Sequence, residues 1–264
     1  MTELVPLALT LLLAGGYLVG TLRLRRDGHR WPRGRTARLM AGTLCVAAAL
    51  LPPVSAHDEL FAVHVLQHLL LGMAGPALLA LSAPITLALR TVPSHVRHVL
   101  LVVLHSRPAA FLAAPAFAVT VNLGGLYALY LTHLYAAAER SDLIHAAVHL
   151  HMFMAGCLLS WALIGTDPVR RRPAAQVRVI VLVVAAAGHD FLSKFMYARD
   201  LPFSGGSLEA RHFGAELMYY GGTLVDVALA VILMTQWYQS TGRALHREQR
   251  RSVHRATAGP SRHR

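Results

Sequence analysis

Histidine and methionine interrupt an apolar run at residues 145–154, HAAVHLHMFM. His145 and His149 are four apart and so share one helical face, and Met152 falls on the same stripe. A second pair with this spacing, His64 and His68, stands in another apolar run, with Gly72 and Gly75 continuing its face. His189 lies inside a third run. Imidazole suits copper, zinc and iron, and thioether favours Cu(I). These residue types point to a metal, copper as Cu(I), held by His64, His68, His145, His149, His189 and Met152. The competing explanation is that the imidazoles hydrogen-bond between helices. Ionisable groups inside a membrane are costly and are a functional hypothesis by default.

Those residues must be positioned by helices in lipid. The 264-residue chain is 55% hydrophobic and 14% charged, with a mean hydropathy of +0.47. A soluble domain would carry about 25% charge. The fold class expected is all-α: a polytopic membrane protein of about seven transmembrane helices. The apolar runs lie at about 4–22, 38–54, 62–89, 110–132, 144–165, 177–198 and 213–237. Gly72, Gly75, Pro76 and Pro84 predict a kink in the third. Residues 98–104 are too short to span and read as interfacial. Residues 4–22 read as a first anchor, not a cleaved signal. A single transmembrane domain at 1–238 precedes a basic tail, 239–264, expected to be disordered or to lie on anionic membrane lipid.

Arginine sets the orientation. Seven arginines fall in 22–38, three in 90–109, four in 166–178 and seven after 239. These 21 of the 25 basic residues occupy one side, which puts the N-terminus outside and the C-terminus in the cytoplasm. The net charge of +12 then reflects topology, and nucleic acid is not an expected partner. Nine of the sixteen histidines fall toward the outer side: His57, His64, His68, His133, His145, His149, His151, His189 and His212. His68 and His149 are expected at one depth, about 10–12 Å below the outer boundary, and His189 at about 15 Å. His151 and Met154 point away from the His145 stripe and read as incidental.

Asp190 and Lys194 are spaced to neutralise each other within a helix. His212, Glu216, Tyr219 and Asp226 form a polar stripe on the last helix. Asp58 and Glu59 read as solvated, and Cys45 and Cys157 as buried small apolar residues. No His-Glu-x-x-His, Gly-x-Ser-x-Gly or Walker pattern is present, so no enzyme is expected. Two other uses of the histidines stay open. They could be axial haem ligands of a membrane b-type cytochrome. With Asp190, Glu216 and Asp226, they could instead serve a metal transporter or metalloenzyme.

Several segments, in order, carry a family resemblance. They are QHLLLGMAGPALLALSAP from Gln67 to Pro84, Gly156 to Trp161, and LIGTDP from Leu163 to Pro168 with Arg171 and Arg172. His189 to Tyr197, Met218 to Gly222, and Trp237 with Tyr238 complete the set. The chain resembles the multi-pass CtaG-type cytochrome c oxidase assembly factors of the bacterial plasma membrane. The resemblance implies a respiratory-chain role in maturing a haem–copper oxidase, in copper supply to it. Its partners would be cytochrome c oxidase subunits, with room for another copper chaperone as donor. His64, His68, His149, His189 and, with a weaker match, His145 correspond to histidines of that family. Copper ligation by them is inferred from their chemistry.

Overall fold

Proline opens four of the helices, where its missing N–H is one that a helix leaves unpaired anyway. The structure, a computed structural model, describes residues 4–51, 54, 60–168 and 172–257. Its elements are helices joined by short connections. They are α1 (Leu4–Arg26), α2 (Arg33–Leu50), α3 (Phe61–His68), a π-helical turn (Leu69–Ala74), α4 (Gly75–Leu81), α5 (Pro84–Thr91), α6 (Ser94–Leu104) and α7 (Arg107–Leu112). Then follow α8 (Pro115–Leu131), α9 (Leu134–Arg140), α10 (Asp142–Ile164), α11 (Ala175–Ala198) and α12 (Leu208–Thr257). No strand occurs among the described residues.

The all-α expectation holds, but seven spans are not reached among the described residues. Among the described residues, four helical stretches are long and apolar enough to cross a membrane: Phe61–Leu81, Asp142–Ile164, Ala175–Ala198 and Leu208–Arg243. A fifth arises if α8 and α9, bent by 75° between them, count as one. Their outward faces are greasy. Ile180 and Val183 on α11 are each 61% exposed, and Leu224 on α12 is 73% exposed, while His64, His68, His149 and His189 turn inward. The expected second span fails because α2 is only 18 residues and spends its first turns on Arg33, Arg35 and Arg38. α1 has spanning length, and its only charged residues are Arg23, Arg25 and Arg26 in its last turn.

The kink in the third run is present. The π turn lies between α3 and α4, and Ala83 adopts a left-handed conformation (φ 55°) that ends α4 before Pro84 opens α5. The span therefore stops at Leu81 rather than near 89. Residues 98–104 belong to α6, none of whose side chains is buried. α12 continues to Thr257, through most of the tail expected to be disordered; beyond Gly242 that stretch holds neither Gly nor Pro. His57, Asp58, Glu59, Arg170 and Arg171 lie outside the described residues.

α3, the π turn and α4 form the centre of the bundle, packed against α2, α10 and α12. α10 approaches the π turn so closely that a Cβ on Gly156 would collide with the Gly72 carbonyl. Small residues at such crossings let backbones meet. One core cluster joins Phe61, Val65, Tyr130, Tyr135, Met152, Leu192, Met196 and Met218. A second, toward the arginine-rich end, joins Leu163, Ile164, Val181, Leu182, Leu229 and Leu233.

Polar side chains tie the helix ends. The buried Asp167 carboxylate accepts from Thr86 N and Thr86 Oγ1, both at 2.7 Å, and from Trp161 Nε1 at 3.1 Å. Arg178 donates to Leu163 O, and Gln236 Nε2 donates to Ile164 O, satisfying carbonyls at the end of α10. Tyr17 donates to Ser82 O, and Gln67 to Ala49 O. Much of the motif set quoted above therefore acts as clasps.

Candidate metal centre

The histidine pairs do share helical faces, and those faces converge. His64, on the first turn of α3, stacks on His149 of α10 with ring centroids 5.8 Å apart and planes 25° apart. His145 meets both, at 4.3 Å from His149 and 6.2 Å from His64. With a metal–nitrogen bond of about 2.0 Å, rings sharing a trigonal metal have centres about 5.5 Å apart. The three observed spacings scatter about that value, and as the rings stand their nitrogens do not all gather within 4.8 Å of one another, so closing on a metal would require the rings to turn. Tyr135 and Tyr130 stand edge-on to His64 at 5.0 and 6.1 Å, and Phe61 packs edge-on against both tyrosines. Apolar rings thus wall the imidazoles on one side.

A second tier lies one turn deeper. His68 stacks on His189 of α11, centroids 5.8 Å apart and planes 19° apart. His68 and His149, expected at one depth, are not ring partners: His64 stacks on His149, and His68 on His189. The stagger of α3 along α10 decides this, and residue spacing within a helix does not encode it.

His64, His68, His149 and His189 are all at most 4% exposed, and His145 is half-buried. His64 Nε2 and both ring nitrogens of His68 and of His189 have no hydrogen-bond partner. Buried polar atoms are nearly always paired, so each such nitrogen calls for an explanation. Interhelical hydrogen bonding does not supply it for these three. Small residues make room for the rings. A Cβ on Gly222 of α12 would collide with the His189 ring, and one on Gly72 would sit 3.1 Å from His68 Nδ1.

Met152 is buried with Met196 and Met218 in the apolar core. It also lines, with His68, His151 and Asn122, a largely apolar cavity of about 320 Å³ between α8, α9 and α10. The other histidines expected on the outer side stay apart from these tiers. His212 pairs with Asp200 at 2.9 Å and stacks on Tyr197, His133 packs on Phe203, and His151 is exposed.

Asp190 and Lys194 form no ion pair. Lys194 Nζ lies 4.7 Å from the Tyr219 ring centre, an exposed cation–π contact. Asp190 instead faces α12, where Thr223 Oγ1 donates to it at 3.4 Å. Glu216 is exposed, so the stripe on α12 does not act as one unit. Tyr130 and Tyr135 were missed as neighbours of the histidines. Their position at the end of an apolar run, flanking His133, was the available signal.

Comparison with known proteins agrees with this arrangement of motifs. The family model for the cytochrome c oxidase caa3 assembly factor, Caa3_CtaG, matches residues 15–240. Uncharacterised proteins of Mycobacterium bovis and Mycobacterium tuberculosis are each 31% identical over 258 residues, covering 90% of this chain and 39% of theirs. One from Mycobacterium leprae is 28% identical over 263 residues, covering 92% and 40%. The chain thus spans about two fifths of the length of these relatives. No solved structure matches. The match from the first helix to beyond Trp237 takes in the histidine tiers and the clasps alike, and the chain belongs to the cytochrome c oxidase caa3 assembly factor family.

Proposed function

We propose that the protein is a non-enzymatic, membrane-embedded assembly factor that holds copper, as Cu(I), on His64, His145 and His149. Its target is a haem–copper cytochrome c oxidase, and its place is near the outer face of a bacterial plasma membrane. The observation that carries this reading is the meeting of three imidazoles from α3 and α10 at 4.3–6.2 Å between centroids, inside apolar and aromatic walls. Neutral imidazoles bind Cu(I) without bringing negative charge into the bilayer. Met152 stands deeper as a further donor. Family membership supports the oxidase as the partner. The crowding of arginine at the opposite helix ends supports an outward-facing histidine end.

The test is the copper content of the oxidase. Oxidase purified from cells lacking this protein is expected to carry haem but too little copper. Wild type restores the copper-to-haem ratio, and His64→Ala/His149→Ala, made at equal abundance, does not. Full restoration by the double variant would sink the proposal.

A further inference from the structure

His189 faces two ways. On one side its ring stacks on His68; on the other, a nitrogen lies within 4.8 Å of carboxylate oxygens of Asp190 and Asp226, which themselves lie that close to each other. We propose that His189, Asp190 and Asp226 form a second site, for a divalent transition-metal cation, separate from the His64–His145–His149 cluster. The proposal does not depend on the copper assignment.

Three observations support it. First, His189 is 4% exposed and neither ring nitrogen has a partner, although it is aimed among two carboxylates. Second, the nearby cation on the same helix is turned away: Lys194 sits over Tyr219 and leaves Asp190 unneutralised. The hydrogen bond from Thr223 adds a donor to Asp190 but no charge, and Asp226 Oδ2 is buried without any partner. Two carboxylates held this close inside a bundle repel strongly unless something positive lies between them. Third, the position is built. Gly222 is the one residue type on α12 that leaves space for the His189 ring, and α11 and α12 pack along their length, so the three donors are held by neighbouring helices.

The donor set gives the ligand class. One imidazole with two carboxylates suits a borderline divalent ion such as zinc, manganese or iron(II), and is too hard for Cu(I). His68, with both nitrogens unpartnered beside His189, stands as a fourth donor. The chain would then hold a soft site and a harder one a helical turn apart.

Titration of full-length detergent-purified protein with cobalt(II), followed by its visible absorption bands and repeated with zinc by calorimetry, tests this. A divalent ion is expected to bind saturably at this site, counted in the His64→Ala/His149→Ala background because three imidazoles also take zinc and cobalt(II). Asp190→Asn and Asp226→Asn should each weaken binding by at least about tenfold. Asp226→Glu keeps a carboxylate and should retain binding, which separates ligation from folding. His64→Ala/His149→Ala should leave the divalent affinity unchanged. The proposal is overturned if wild type shows no saturable divalent binding, as it would if the two carboxylates merely share a proton. Unchanged affinity in both Asn variants would overturn it too. So would loss in the His64/His149 double variant, which would mean a single shared site.

Discussion

The imidazole of His64 lies nearly parallel to that of His149, centroids 5.8 Å apart, and so links the first turn of α3 to the second turn of α10. The contact brings ring nitrogens from two helices together. It also gives a substitution that separates packing from ligation. His64→Phe keeps an aromatic ring against Tyr130, Tyr135 and His149 but removes both nitrogens. Thermal unfolding in detergent should move little, while copper bound per chain falls well below that of wild type. Equal copper in wild type and His64→Phe would remove His64 from the ligand set.

Gly222 offers a stability test tied to the site. A Cβ there collides with the His189 ring, so Gly222→Val must displace the ring or part α11 from α12. Overpacking of this kind costs about 1–3 kcal/mol. The melting temperature should drop, and Gly222→Ala should fall between the two. An unchanged melting temperature in Gly222→Val would mean that α12 does not press on His189.

Asp167 should separate scaffold from site. It is 4% exposed and accepts three hydrogen bonds that join α5, the end of α10 and the loop beyond. Asp167→Ala leaves Trp161 Nε1 and the Thr86 donors without this partner. Losing it should cost about 1–3 kcal/mol. Copper bound per folded chain should not change, since the clasp lies at the far end of α10 from His145 and His149. Loss of copper at unchanged stability would contradict that division.

Gly156 tests the central crossing. Gly156→Leu cannot fit against the Gly72 carbonyl, and the π turn would be pushed from α10. Because the π turn directly follows His68, the displacement should reach the deeper tier. The expected result is a lower melting temperature together with weaker divalent binding. Retained divalent affinity in a chain destabilised this way would show that the tier is held by α11 and α12 alone.

The parts legible in the sequence were those set by helical periodicity and by composition. Spacing of four placed His64 with His68 and His145 with His149 on their faces, and the glycines and prolines of 72–84 marked a break that the π turn and Ala83 realise. Family membership was likewise legible from the run of motifs ending at Trp237 and Tyr238. What sequence could not supply was anything that depends on how helices slide past one another. The stagger that pairs His64 with His149 is of this kind, as is the rotation that turns Asp190 toward Thr223 and Lys194 toward Tyr219. The span count fell short among the described residues for a different reason. Apolar length alone hides the arginines of α2 and the 75° bend after α8.

Copper stoichiometry measured with a competing Cu(I) chelator, together with an absorption spectrum, on detergent-purified wild type and His64→Ala/His149→Ala tests the central claim most directly. About one Cu(I) per chain in wild type, lost in the double variant, with no visible chromophore in either, is the predicted result. Equal copper in both proteins, or a haem Soret band in wild type, would contradict it.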